Sequence, residues 1–215
     1  MTSHPIFAAV YDRLLASAEK GGLEEMRAGL LGDAEGRTLE LGAGTGHNLP
    51  HYTGSVTELV LTEPDPHMAT RLRKHLGAEP PAAGGVRVVD APAENLPFDD
   101  DSFDTVVATL VFCTVVDPER AVAEARRVLH PDGRLLYIEH VRSPDSTRLA
   151  KWQDRVERPW GWIAGGCHPN RPTEETLAAA GLELESLHRD TFPEASWTPW
   201  MKPVIRGTAR RARGR

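Results

Sequence analysis

Residues 39–46, Leu-Glu-Leu-Gly-Ala-Gly-Thr-Gly, decide how this chain folds. An apolar strand end carrying Glu40 runs into three alternating glycines, Gly42, Gly44 and Gly46. Glycine takes φ > 0 and brings backbone close to a ligand with no Cβ in the way, so a turn of this kind after a first strand points to a nucleotide-like cofactor. Dinucleotide binders use G-x-G-x-x-G, whose third glycine permits close packing at the pyrophosphate. Here His47 holds that third position. A bulky imidazole there argues against a pyrophosphate.

Working outward, short apolar runs alternate with amphipathic stretches, the pattern of a parallel sheet covered by helices on both faces. The pattern predicts strands near 37–42, 57–62, 86–90, 104–109 and 134–140, with two more near 182–188 and 203–209. Helices are predicted over 5–18, 22–31, 66–77, 118–129, 147–158 and 173–180. Asp117-Pro118 places a capping carboxylate before a proline in the first helical turn. His130-Pro-Asp-Gly133 reads as a turn that stops a helix and enters the fifth strand. Thr173, followed by Glu174 and Glu175, reads as a helix start.

The 215 residues carry 25 Lys and Arg against 31 Asp and Glu, a net charge of −6. That balance argues against general nucleic-acid binding. The basic run from Arg206 to Arg215 reads as a solvated tail. Two cysteines, Cys113 and Cys167, do not build a disulfide framework, which fits a reducing cytoplasm. No stretch reaches the ~20 apolar residues of a membrane span, and Met1-Thr-Ser-His-Pro lacks the layout of a signal peptide. The expectation is one soluble cytoplasmic domain over 1–215 without stable membrane insertion.

In an open parallel sheet the ligand sits outside the carboxyl ends of the strands, where the strand order reverses. After the second strand come Thr62-Glu-Pro-Asp65, with Glu63 lying 21 positions beyond Gly42. Its carboxylate suits a pair of ribose hydroxyls, or else serves as a charge at the start of the next helix. After the third strand come Asp90-Ala-Pro-Ala-Glu94, in which Glu94 is either a ligand contact or a solvated acid. Asp99 to Asp101 read as a solvated turn, since adjacent carboxylates lack the convergence of a calcium loop.

The E-x-G-x-G-x-G octet, Glu63, the 90–98 segment and Phe103-Asp-Thr-Val-Val-Ala-Thr-Leu-Val-Phe-Cys113 together resemble the class I S-adenosylmethionine (SAM)-dependent methyltransferases of the type 11 group, over roughly 35–140. A finer resemblance is to the methyltransferase-like alkyl thiol methyltransferases. It is carried by Ala-Thr-Leu-Val-Phe-Cys-Thr-Val (108–115), Arg-Arg-Val-Leu-His-Pro-Asp-Gly (126–133), Glu139-His-Val141 and Trp160…Gly166-Cys167…Arg171-Pro-Thr173.

The resemblance implies a Rossmann-like sheet of seven strands, mostly parallel with the last antiparallel. It implies S-adenosyl-L-methionine as cofactor, held by Tyr11, Glu40, Gly42, Gly44, Gly46, Asn48, Glu63, Pro64, Met68, Ala93, Glu94 and Thr109. Pro92 stands where the family often has an acid that meets the adenine. The implied acceptor is a small, fairly apolar thiol. Animal members carry an N-terminal membrane anchor with no counterpart here. Phospholipid N-methylation, quinone-type C-methylation and SAM binding without turnover remain the alternatives.

Methyl transfer from a sulfonium is a positioning problem and calls for no metal. The reactive form of a thiol is the thiolate. His140, at the end of the fifth strand, is the candidate catalytic residue, promoting that ionisation, or else a histidine bonded to a loop. Cys113 lines the transfer cavity or the core. All five tryptophans follow the fifth strand: Trp152, Trp160, Trp162, Trp197 and Trp200. Trp152, Trp160 and Trp197 are expected in a substrate lid over 141–200, the same rings otherwise packing a helix on the sheet. Residues 1–33 are expected to form a helical cover, with Tyr11 closing on the cofactor or else stapling the helix to the domain. Cys167-His168 lacks the second pair of a zinc site, so no metal is expected.

Overall fold

The computed structural model describes residues 19–143, 147–191 and 198–212. The expected 5–18 helix with Tyr11, the tryptophan Trp197 and the end of the arginine tail lie outside these residues.

Seven strands form one sheet: β1 (Gly36–Leu41), β2 (Val56–Thr62), β3 (Val86–Val89), β4 (Phe103–Thr109), β5 (Leu129–His140), β6 (Leu182–Thr191) and β7 (Pro203–Arg211). Their order is β3-β2-β1-β4-β5-β7-β6. β1 to β5 pair in parallel, and β7 runs antiparallel to both its neighbours. β1 and β4 are buried along most of their length because helices cover both faces. The order runs outward from β1 in one direction and from β4 in the other. The crevice at the carboxyl ends of these two strands is therefore the switch point of the sheet.

Alternation along the strands divides the interior into two cores. Leu39, Leu41, Val106, Ala108, Leu135 and Tyr137 pack on one face with Ala121, Val122 and Ala125 of α3 (Pro118–Val128) and Leu177 of α5 (Thr173–Ala179). Leu59, Leu61, Val107, Leu136 and Ile138 pack on the other with Leu30 and Leu31 of α1 (Glu24–Leu31) and Leu72 of α2 (Pro66–Ala78). Glu40, between Leu39 and Leu41, and Thr38, before Leu39, alternate with these leucines and so lie on the α1 face. A buried leucine such as Leu72 contributes about 2–5 kcal/mol relative to alanine.

Local chemistry places the helix starts. Asp65 Oδ1 accepts the N–H groups of His67 and Met68, and Asp117 Oδ1 accepts that of Arg120, each before a proline. α5 begins at Thr173 as expected, with no side-chain cap. The long helix α4 (Thr147–Ile163) outruns its expected end at 158, with Pro159 inside it. One expectation needs correcting. His130 to Gly133 do not separate helix from strand but form an insertion within β5, because Phe103 pairs with Leu129 and Thr105 with Arg134. Gly133 is required there, since a Cβ would come within 2.7 Å of the Asp104 carbonyl oxygen. Among the described residues no helix is long and apolar enough to cross a membrane.

Candidate active site

Gly42, Gly44 and Gly46 all adopt left-handed φ, at 54°, 59° and 98°. The turn folds back on its flanks: the Ala43 N–H reaches the Thr62 carbonyl, and a Cβ on Gly46 would come within 2.8 Å of Leu49. Only a three-residue 3₁₀ turn, Leu49–His51, follows it. The segment directly behind the glycines therefore presents no α-helix N-terminus to an anion, as a pyrophosphate site requires. Glu63, buried at the end of β2, accepts the Gly44 N–H on Oε2 at 2.8 Å and the Asp65 N–H on Oε1 at 2.9 Å. Burial raises its carboxyl above the ordinary range, and the two N–H groups oppose this.

Beneath the turn lies a buried polar network. Glu40 Oε2 accepts the Tyr52 hydroxyl at 2.6 Å, and Oε1 accepts Asn48 Nδ2 at 3.0 Å. The same Asn48 nitrogen donates to Thr109 Oγ1, and Asn48 Oδ1 accepts Arg27 Nη1 at 2.6 Å. Arg27 continues to Glu19. Burial pushes the Glu40 carboxyl up to about 7, against the pull of Tyr52, Asn48 and Arg27. Three expected cofactor residues, Glu40, Asn48 and Thr109, thus meet in one network, and with Arg27, Gly42 and Ala43 they line a narrow recess. A wider concavity of about 510 Å³ is lined by Gly46, His47, His51 and His75.

Of the other expected cofactor residues, Met68 is buried on the first turn of α2 and Pro64 is half-buried beside Glu63. Ala93 is buried after β3. Glu94 Oε1 is engaged by the N–H groups of Val116 and Asp117 at the approach to α3.

A residue with no expected role organises the far wall. Glu139, fully buried on β5, accepts three consecutive backbone N–H groups: Val111 and Phe112 on Oε1 at 2.8 Å, and Cys113 on Oε2 at 2.9 Å. Burial pushes its carboxyl well up while the three donors pull it down. The turn it holds begins at Leu110, whose φ of 58° is unusual for a branched side chain. Arg171 clamps the same turn from outside through the carbonyls of Phe112 and Val115. Val111 closes against the glycine turn, 3.2 Å from where a Gly42 Cβ would sit. The signal for Glu139 in the sequence is an acid directly after the apolar run Leu135-Leu-Tyr-Ile138, still within the strand.

His140 ends β5 beside this turn. Its Nδ1 lies 4.0 Å from Cys113 Sγ and 3.9 Å from Cys167 Sγ. Contact with the Cys167 sulfur, and then burial, pushes the Cys113 thiol up. Gln153 of α4, also unanticipated, is buried and donates to the carbonyls of Val141, Pro169 and Trp200. It fastens the segments that follow β5 to one another. Trp152 stacks on Trp200 at 5.5 Å between centroids, and Trp160 meets Trp200 edge-on at 5.6 Å. Trp162 is 94% exposed and stands apart from this group.

A family model described as a methyltransferase domain matches residues 39–137. The thiol S-methyltransferase TMT1B of Homo sapiens is 38% identical over 172 residues, covering 80% of this chain and 69% of that protein. The thiol S-methyltransferase TMT1A of Homo sapiens is 32% identical over 207 residues, covering 94% and 82%. Among solved structures, a SAM-dependent methyltransferase of Thermotoga maritima, described as a possible histamine N-methyltransferase, superposes with a TM-score of 0.68 at 27% identity, covering 95% of this chain and 97% of that one. The chain belongs to the methyltransferase domain family. It is a SAM-dependent methyltransferase with the seven-stranded Rossmann-like fold that the sequence predicted.

Proposed function

We propose that this enzyme methylates the sulfur of a small, fairly apolar thiol. The observation that carries this reading is the placement of His140, at the carboxyl end of β5, beside Cys113, which lies on the turn after β4 that packs against the glycine turn. The site's chemistry fits the cofactor: the acids Glu40 and Glu63 and the absence of a helix start behind the glycines suit a cationic ligand without phosphate. When bound, SAM supplies a methyl group already activated by its sulfonium. Glu63 would accept from the ribose hydroxyls, since each of its oxygens keeps a lone pair beyond the bond it takes from Gly44 or Asp65. Gly42, Gly44 and Gly46 would flank the methionine portion, with Glu40, Asn48 and Thr109 beneath it. Pro64, Met68, Ala93 and Glu94 would border the nucleoside.

His140 is the residue we assign to the acceptor, which reacts as the thiolate. Cys113, Trp152 and Trp160 would bound an apolar acceptor, with the segments of 141–200 excluding water. The relatives named as thiol S-methyltransferases support sulfur as the accepting atom. The charge of −6 and the free cysteines Cys113 and Cys167 support a cytoplasmic enzyme whose partners are small molecules and not nucleic acid.

Incubating the protein with SAM and a panel of thiols, amines and phenols, and measuring S-adenosylhomocysteine release, tests the reading. Thiols should be the fastest class. Rapid turnover of amines or phenols with thiols untouched would move the acceptor to nitrogen or to a quinone-like ring.

A further inference from the structure

Cys113, His140 and Cys167 come from three separate stretches of chain, and their ligating atoms converge. The two sulfurs are 3.9 Å apart, and His140 Nδ1 lies 4.0 Å from Cys113 Sγ and 3.9 Å from Cys167 Sγ. Both cysteines are free, and all three residues are buried. We propose that the chain binds a thiophilic divalent metal ion, zinc foremost, through Cys113 Sγ, Cys167 Sγ and His140 Nδ1, with the fourth position open to the sulfur of the acceptor.

The triangle has the dimensions of such a site. Tetrahedral zinc with Zn–S of about 2.3 Å and Zn–N of about 2.0–2.1 Å puts two sulfurs roughly 3.8 Å apart and sulfur and nitrogen roughly 3.6 Å apart. The observed edges exceed these by only a few tenths of an ångström, within reach of small side-chain rotations. Three near-equal edges around a common centre are not required by packing alone. Two of the ligands sit on well-held backbone. The Cys113 N–H is fixed by Glu139, and His140 ends a strand paired with Val204 of β7. The metal reading also separates residues that adjacency in sequence had joined. His168, next to Cys167, turns away to Glu157 Oε1 at 2.6 Å. Among the described residues the metal-ligating group holds these three members and no fourth. Three protein ligands with one position left open are the arrangement of a catalytic zinc and not of a structural one.

The ion would give His140 a defined task. An acceptor thiol entering the fourth position gives up its S–H proton to solvent and stays nucleophilic as a metal-bound thiolate. In transfer its sulfur forms the new carbon–sulfur bond while the sulfonium's methyl–sulfur bond breaks, the bonding pair staying with the departing thioether. The product is a neutral thioether, a weaker ligand than a thiolate, and so it leaves. The open position rests on the thiol reading of the preceding section; the ion itself does not.

The test uses the full-length protein, purified under reducing conditions. Metal analysis should find near-stoichiometric zinc. Removing it and adding cobalt(II) should give thiolate-to-cobalt charge-transfer bands and the visible bands of a tetrahedral ion. Cys113→Ser and Cys167→Ser should each lower zinc affinity by about 100-fold or more, since even the loss of an outer partner costs about 10–100-fold. His168→Gln should bind as the wild type does. A serine variant that fails to fold is replaced by a wild-type measurement, in which zinc added to the metal-free protein should raise the melting temperature. Reduced wild-type protein that takes up neither zinc nor cobalt overturns the proposal. Uptake without any change in the cobalt bands on adding a thiol, in the absence of SAM, overturns the open position. A thiol that perturbs the cobalt bands but yields no methylated product leaves the site standing and counts against the thiol reading alone.

Discussion

Glu63 Oε2 takes the N–H of Gly44 at 2.8 Å, tying the end of β2 to the middle of the glycine turn. The same carboxylate that would accept from the ribose therefore also holds the turn in shape. Glu63→Ala should weaken SAM binding by about 1–3 kcal/mol, the worth of charge-assisted hydrogen bonds. Gly44→Val should abolish it, because a branched residue resists the left-handed φ of 59° at that position. Calorimetric titration with SAM reads both. Wild-type affinity in the two variants would remove this site.

Glu40 makes stability depend on pH. Its carboxyl rises from its ordinary value of 4.5 to about 7 in the folded protein. Between these values the unfolded chain has already released the proton that the folded chain keeps, so raising the pH favours unfolding. The stabilising contribution is complete below about 4.5 and lost as pH rises through about 7, on the order of 3 kcal/mol in all. Glu40→Gln should remove this decline. Denaturant melts at intervals from pH 4.5 to pH 8 should give a wild-type-minus-variant difference that falls across the window; a level difference would contradict it.

Glu139 supplies two carboxylate oxygens to three N–H groups, and an amide has only one oxygen to offer. Glu139→Gln should therefore leave at least one buried N–H without a partner and lower stability by about 1–3 kcal/mol. It should also release the turn that carries Cys113, so that KM for the acceptor rises more than Kd for SAM. Unfolding curves together with steady-state kinetics check both; an unchanged melting temperature would show that the turn holds its shape without this carboxylate.

What the sequence disclosed about these sites depended on how local the cause was. Asp65-Pro66 and Asp117-Pro118 are complete capping devices within a few residues, and the helices begin there. Gly42, Gly44 and Gly46 likewise carry their own conformational requirement. Glu139 was hidden because an acid in an apolar strand is explained only by the three N–H groups it meets, from residues 26 to 28 positions away. The convergence of Cys113 with Cys167 spans 54 positions and depends on where α4 returns the chain. Cys167-His168 drew attention as neighbours, and the fold sends the two side chains to different partners. The insertion at 130–133 looked like a plain turn because Pro131 and Gly133 are turn residues, whereas pairing between β4 and β5 sets its true register. Tyr11 and Trp197 lie outside the described residues.

His140 provides the sharpest division between roles. If it promotes the thiolate, as a metal ligand or directly, His140→Ala should lower kcat by about 10²-fold or more while the Kd for SAM stays near wild type. The loss should not be uniform across acceptors. A thiol of high pKa depends on the enzyme for ionisation and should lose the most. An acidic thiol is already ionised in solution and should lose the least. A histidine that only packs between Cys113 and Cys167 would behave differently, lowering the melting temperature and cutting activity by one factor for every acceptor. Rates measured over a series of thiols of graded pKa, beside a melting curve of the variant, separate the two. A loss independent of acceptor pKa would leave His140 no part in forming the thiolate, and catalysis would then rest on the positioning supplied by the turn that Glu139 and Arg171 hold.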